Sequence, residues 1–322
     1  MAITMLMASD DDGRRLDRLL RKALPGLPLS ALHRLLRKKY ILVDGTPAEA
    51  SSRVKAGSVI TIPSEAAPFS HFSSVSPVSP LVHHQPSLPI LWEGSGMLAL
   101  NKPSGLVVHG PAKRNLERMV RRYLAEKLAP SLSFRPGPIH RLDTPTSGII
   151  LFSTSLEGAR YFSTLLRERQ VKKQYLALVE GNLEAPQRWD DRLIRDRNKT
   201  IVTQDQDAQS AETAVFPLAV TTGYSLILAA IHTGRTHQIR SQAAFHGHPL
   251  AGDLKYGGSF QPGGLLLHAY TLKFPVTEDT KKVGLPEILK APPPDAFHSR
   301  ISTIFGQSLT QILETRTALN FF

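Results

Sequence analysis

The sequence predicts an α+β protein in two parts. A small helix-helix-hairpin domain precedes a larger domain with a mixed, mainly antiparallel sheet and flanking helices. Three observations carry this. The chain has 322 residues, and at roughly 150 residues per domain that allows about two cores. Its front carries leucines at helical spacing, and from residue 89 onward short apolar runs alternate with two or three helical stretches. Asp12 is placed to cap a helix over 13–24, with Leu16, Leu19, Leu20 and Leu24 on one face, ended by Pro25 and Gly26. Ser30 is placed to cap a second helix to Lys39, with Leu32, Leu35 and Leu36 inward and Arg34, Arg37 and Lys38 outward. The strands YILVDG and VKAGSVITIP follow, with Asp44-Gly45 as a turn signal. Residues 64–88 hold seven serines, four prolines and one charge, Glu65, and read as a tether. The expected organisation is therefore 12–63, a linker over 64–88, and 89–322.

In the second part, Asn115–Ala129 reads as an amphipathic helix, and Thr154-Ser-Leu-Glu157 as a capping box opening another to Arg169. Tyr175–Val179 and 224–231 read as strands, 236–245 as a short helix, and 300–314 as a closing helix.

Composition narrows the function. Zero cysteines exclude disulfides, thiol catalysis and cysteine-held metals. No apolar run approaches the ~18 residues of a membrane span, and the start lacks a basic leader region, so a cytoplasmic protein is expected. The formal net charge is +12. Between Gly13 and Ile62 stand 11 basic and three acidic residues, 11 − 3 = +8, so two thirds of the excess lies in that module. Such a cluster suits a phosphate backbone, whose neutralisation releases counterions; the alternative is a solvated face.

The densest polar cluster is IHRLDTPTSGI, 139–149, immediately ahead of the apolar run IILF. Asp143 is flanked there by His140, Arg141, Thr144, Thr146, Ser147 and Gly148. A carboxylate in such company can act as nucleophile or base, and it lacks the second carboxylate that ordinary glycosidases use. The competing reading is an aspartate that closes a tight turn. Histidines 237, 246, 248 and 268 have no HExxH spacing and read as satisfied or surface residues. No GxGxxG or Walker pattern occurs, so no metal and no nucleotide cofactor is implied.

The stretch HRLDTPTSGIILFS resembles the HRLDxxTSG signature of the RluA-type pseudouridine synthases. NKPSGLVVH (101–109), VKKQYLALVEG (171–181) and HTGRTHQIRSQAAFHGHPLAGDLKYG (232–257) are similar to that family's other motifs, in its order. The front module resembles the alpha-L RNA-binding module that often precedes such enzymes. The resemblance implies a pseudouridine-synthase sheet and an isomerase that converts uridine in RNA to pseudouridine, with Asp143 as nucleophile. It implies that Tyr175 packs against the uracil and helps remove the carbon 5 proton, and that Arg235 pairs with Asp143. Arg240 is second choice for that pairing and otherwise suits an RNA phosphate. Lys102 and His109 belong to a turn beneath the site and read as scaffold. His140 and Arg141 are expected to orient the Asp143 loop or to bind phosphate, Lys173 to approach RNA or the rim of the site, and the helix residues Arg34, Arg37 and Lys38 to meet RNA. Structured ribosomal RNA is the favoured partner, with transfer RNA the alternative; neither a membrane nor a second copy is expected. An RNA-binding or ribosome-assembly factor that had lost catalysis would lack Asp143, Tyr175 or Arg235, and all three are present.

Overall fold

The computed structural model describes residues 2–69, 88–94, 96–112, 114–128, 130–278, 280 and 284–317. They divide into two compact units: the described residues of 1–87, 120–137 and 153–160, and those of 88–119, 138–152 and 161–322. Most of the expected linker, 70–87, lies outside the described residues.

The first unit contains strand β1 (Ile3–Leu6), helices α1 (Leu16–Ala23) and α2 (Leu29–Arg37), and strands β2 (Leu42–Val43), β3 (Thr46–Pro47) and β4 (Val59–Ile62). The sheet order is β1-β4-β2-β3, so Asp44-Gly45 turns β2 into β3, while β4 pairs with the other edge of β2. Both turn residues have positive φ, 51° and 78°, as a tight hairpin of this hand requires. Leu16, Leu19, Leu20 and Leu24 meet Leu32, Leu36, Ile41, Ile60 and Ile62 in one core, as the leucine spacing predicts. The expected caps differ. The helices start from Arg15 and Pro28, and Asp12 instead accepts the Ala56 N–H at 2.9 Å. Asp11, fully buried, accepts from Ser131 Oγ and the Leu132 and Ser133 amides, and Leu132 packs against the core. The first unit thus takes in chain far beyond residue 63.

Next come β5 (Ile90–Gly94), β6 (Met97–Lys102), α3 (Leu116–Ala125), β7 (Gly137–Pro138), β8 (Ser147–Ser153) and α4 (Leu156–Arg167). Asn115 caps α3 through the Arg118 amide. At α4 the cap is Ser155, which accepts the Gly158 amide, and not the expected Thr154. The remaining strands are β9 (Lys172–Glu180), β10 (Gln187–Asp196), β11 (Lys199–Val202), β12 (Gln209–Thr221), β13 (Tyr224–Ile231), β14 (Leu267–Lys273) and β15 (Ile288–Lys290). Helix α5 is Gln238–Phe245. The expected closing helix is two, α6 (Asp295–Phe305) and α7 (Leu309–Thr317). Gly306 at φ 66° stops the first, and Ser308 and Gln311 cap the second reciprocally.

The large sheet runs β11-β10-β12-β13-β9-β14-β8-β6-β5, with β15 beside β14 and β7 beside β8. It is mostly antiparallel, the β14–β8 pair being parallel. Both faces of its centre are covered, which is why β9 and β13 read as nearly continuous apolar runs. Ala177, Val179, Ile227 and Ala229 pack with Ile239 and Ala243 of α5. The alternating residues Leu176, Leu178, Leu226 and Leu228 pack with Phe297, Ile301, Leu309 and Ile312 of α6 and α7.

Candidate active site

Asp143 lies in the turn that leads into β8, closed by the Thr146 amide donating to its own carbonyl at 3.1 Å. The NKPSG segment holds this turn from below. Fully buried Lys102 donates to the carbonyls of Pro103, Leu106 and Thr144 at 2.9–3.0 Å. The Gly105 amide also donates to Thr144 O, and Ser104 Oγ donates to Pro145 O at 2.7 Å. Burial pushes the Lys102 ammonium down to about 8, and the nearby Asp143 charge resists that shift. Gly148, at φ 110°, lets β8 lie against β14: a Cβ there would stand 2.2 Å from the Ala269 carbonyl oxygen. Beyond it, Ser147 donates to His268 Nδ1 at 2.8 Å while His268 Nε2–H donates to Ala291 O at 3.0 Å. Burial holds that ring down to about 4, so it is neutral at pH 7.

The Asp143 carboxylate faces a cleft of about 60 Å³ lined by Arg141, Tyr175, Arg235, His237 and Arg240, with Ile231 and Leu267 as apolar walls. Tyr175 comes from β9, beside Ala229 and Ala269. Burial, and then the Asp143 charge, push its phenol well above the usual tyrosine range, so at pH 7 it presents a neutral ring and hydroxyl.

The cation that reaches Asp143 is Arg240, from α5. Its Nη1 stands 3.2 Å from Asp143 Oδ2, while Nε and Nη2 hold Asp253 in a bidentate pair at 2.7 and 2.8 Å. Only 5% exposed, Arg240 keeps its charge because the Asp253 and Asp143 contacts outweigh burial. The expected pairing of Arg235 with Asp143 is thereby corrected. Arg235 lies ahead of α5, lines the cleft, and turns its Nε–H to Ser210 O at 3.0 Å. The physical reason is helical geometry. Arg240 is on the helical face beside Ile239 and Ala243, which enters the core, whereas the Arg235 side chain is drawn to β12 by its bond to Ser210 O.

Other expected site residues are placed as follows. Arg141 is exposed on the rim. His140 accepts the Leu151 amide through Nε2 at 3.1 Å, and its surroundings, burial first and Lys173 next, hold it down to about 4. Lys173 is half-buried, and burial and then Arg169 lower its ammonium. Arg34, Arg37 and Lys38 stand exposed at the end of α2 in the first unit. Among the described residues no group of three or more His, Cys, Asp or Glu is arranged to hold a metal.

Sequence reasoning assigned no site role to three residues: Asp253, which orients Arg240; Tyr256; and His237, whose Nε2 stands 3.7 Å from Asp143 Oδ2. The signal was the last motif itself, HTGRTHQIR…GDLKYG, in which an aspartate and a tyrosine follow the arginine-bearing helix.

Residues 96–245, which contain Asp143, Tyr175 and Arg240, match the RNA pseudouridylate synthase family. The ribosomal large subunit pseudouridine synthase C of Pasteurella multocida is 34% identical over 313 residues, covering 88% of this chain and 90% of that protein. The chain belongs to the RNA pseudouridylate synthase family. The synthase C of Vibrio cholerae is 31% identical over 299 residues, covering 88% of this chain and 92% of its own length. In fold, the human RNA pseudouridylate synthase domain containing 1 superposes with a TM-score of 0.55 at 23% identity, covering 72% of this chain and 95% of that one. Membership makes the protein an RNA pseudouridine synthase, an isomerase, and the α+β class holds.

Proposed function

We propose that this protein converts uridine to pseudouridine in large-subunit ribosomal RNA, with Asp143 as the nucleophile. The observation that carries the reading is one carboxylate, oriented by a buried arginine, facing a cleft with a neutral tyrosine beside it. The isomerisation breaks the bond from the anomeric carbon to N1 and forms one to C5, with C5 losing a proton and N1 gaining one. It needs a single carboxylate to attack, a surface against which the detached base can turn, and exclusion of water. Asp143 supplies the first, the Tyr175 ring with Ile231 and Leu267 the second, and the narrow cleft the third. Extracting the uridine from its stack costs roughly a few kcal/mol. Arg141 and Arg235, which line the cleft, offset that cost by holding phosphates, and Lys173 adds positive charge nearby. The two bacterial relatives named above are ribosomal large subunit pseudouridine synthases, which supports ribosomal over transfer RNA as substrate. In this reading residues 12–63 act as a basic RNA-binding module through Arg34, Arg37 and Lys38, and the protein works as a cytoplasmic monomer.

Carbodiimide mapping of pseudouridine in cells lacking the gene tests this. A discrete set of large-subunit sites should vanish and return with the wild-type gene but not with Asp143→Asn. An unchanged map would overturn the substrate assignment, and rescue by Asp143→Asn would overturn the nucleophile.

A further inference from the structure

Tyr256 touches His237 and Arg240, the two side chains that, among the described residues, bring a nitrogen to the Asp143 carboxylate. Its hydroxyl accepts the Thr200 amide of edge strand β11 at 2.8 Å and lies 2.7 Å from His237 Nδ1. The Arg240 guanidinium sits over its ring, 5.1 Å from the centroid, and the His237 ring meets it edge-on at 5.6 Å. Both partners of the nucleophile therefore rest on one aromatic side chain.

The hydrogen bonds also have a direction. Burial raises the Tyr256 phenol, so its proton is retained at pH 7. Because the Thr200 N–H already occupies a lone pair, the hydroxyl proton is free to go to His237 Nδ1. Donated there, it makes Nδ1 the acceptor and leaves the ring hydrogen on Nε2, 3.7 Å from Asp143 Oδ2, whereas donation from Nδ1–H to the second lone pair of the hydroxyl would leave Nε2 bare. His237 precedes α5 at φ 53°, a left-handed conformation that few residues other than glycine adopt, histidine more readily than most. That backbone, together with Tyr256, fixes where the ring points. Burial holds the His237 ring below the usual histidine range; among the charges around it, Asp143 and Asp253 favour the imidazolium, while Arg240 and Lys255 oppose it.

We propose that His237 and Tyr256 are positioning residues for Asp143: Tyr256 sets the His237 tautomer, and the Nε2–H so presented holds the carboxylate in its attacking orientation alongside Arg240. The inference rests on Asp143 being the reacting group, and the test separates the two.

The assay is release of tritium from a large-subunit ribosomal RNA transcript carrying 5-tritiated uridine, using the full-length protein. Asp143→Asn is the reference, and activity in that variant would defeat the nucleophile assignment itself. Given an inactive reference, His237→Asn should lower kcat by about 10² with KM within about twofold, because its amide falls short of the carboxylate. His237→Gln, whose amide nitrogen reaches the Nε2 position, should recover to within about threefold of wild type in kcat. Asn tolerates the left-handed backbone better than Gln, so thermal stability should rank Asn above Gln while activity ranks them in reverse. Activity that follows stability would overturn the proposal, because it would reduce His237 to a turn residue. A substrate-free measurement stands beside it. Nitrogen-15 shifts of the His237 ring should show the Nε2–H tautomer in wild type and lose that bias in Tyr256→Phe. An Nδ1–H tautomer in wild type would overturn the relay whatever the RNA assay gives.

Discussion

At the residue scale, the two arginines of HTGRTHQIR have different duties, and substitution tells them apart. Arg240 makes a bidentate pair with Asp253 and a third contact to Asp143, a geometry that a point charge cannot reproduce. Arg240→Lys should therefore cut kcat by about 10², whereas Arg235→Ala should cost less than about tenfold, its contact being one bond to a carbonyl. Single-turnover tritium release on both variants checks the ranking, and equal losses would contradict it. Lys102 was read as scaffold, and its three carbonyl acceptors agree with that reading. Its contact to Thr144 is nonetheless adjacent to Asp143. The arginine pairing was not legible in the sequence because both candidates lie five residues apart in a basic motif. Only the start of α5 at Gln238 decides which one turns inward.

At the element scale, the parallel contact of β8 with β14 is what places the Asp143 turn. Gly148→Ala would require a positive φ of a residue with a side chain and push a methyl group into the Ala269 backbone. We expect a loss of about 2–4 kcal/mol in chemical denaturation, with β8 displaced and activity lost in proportion. A stability change under about 0.5 kcal/mol would contradict the close approach. Helix α5 shows why its neighbourhood was hard to read. Gln238, Arg240, Ser241 and Gln242 are all buried, so the helix has no clear apolar stripe. The glutamines also reach partners far away in sequence: Gln242 meets Asp191, Trp189 O and Ala211 O, and Gln238 meets Thr213 and Glu212 O. The strands were more legible. Residues 224–231 match β13 end to end, and β9 extends a few residues beyond the expected Tyr175–Val179.

At the scale of the whole molecule, two charge effects should be measurable. Buried His268 has a folded-state pKa of about 4 against 6.5 unfolded. Between those values the unfolded chain binds the extra proton, so the stability is fully present above pH ~6.5 and is lost as pH falls toward ~4. Between pH 7 and pH 5 this one group should cost about 2 kcal/mol, and His140 acts in the same direction. His268→Asn should flatten that limb of the denaturation profile, and an unchanged slope would contradict the neutral buried ring. The second effect concerns RNA. Because Asp11 and Leu132 knit residues 131–133 into the first unit, removing residues 1–63 would strip that unit's core. Replacing Arg34, Arg37 and Lys38 by Gln is the cleaner experiment. It should make the dependence of log affinity on log salt shallower by roughly two to three, with kcat unchanged. An unaltered slope would remove the RNA-binding role from α2.

The sequence by itself determined the α+β class, the leucine core of the first unit, the central strands and the identity of the aspartate turn. Each of these rests on local signals: apolar periodicity, glycine and proline at turns, and a contiguous motif. Only the tertiary structure decided which arginine meets Asp143, that Tyr256 and His237 stand behind it, and that residues near 132 and 156 complete the first unit. Those contacts join residues about 20 to 150 positions apart, and their partners are chosen by how strands and helices pack, a quantity that no local pattern encodes.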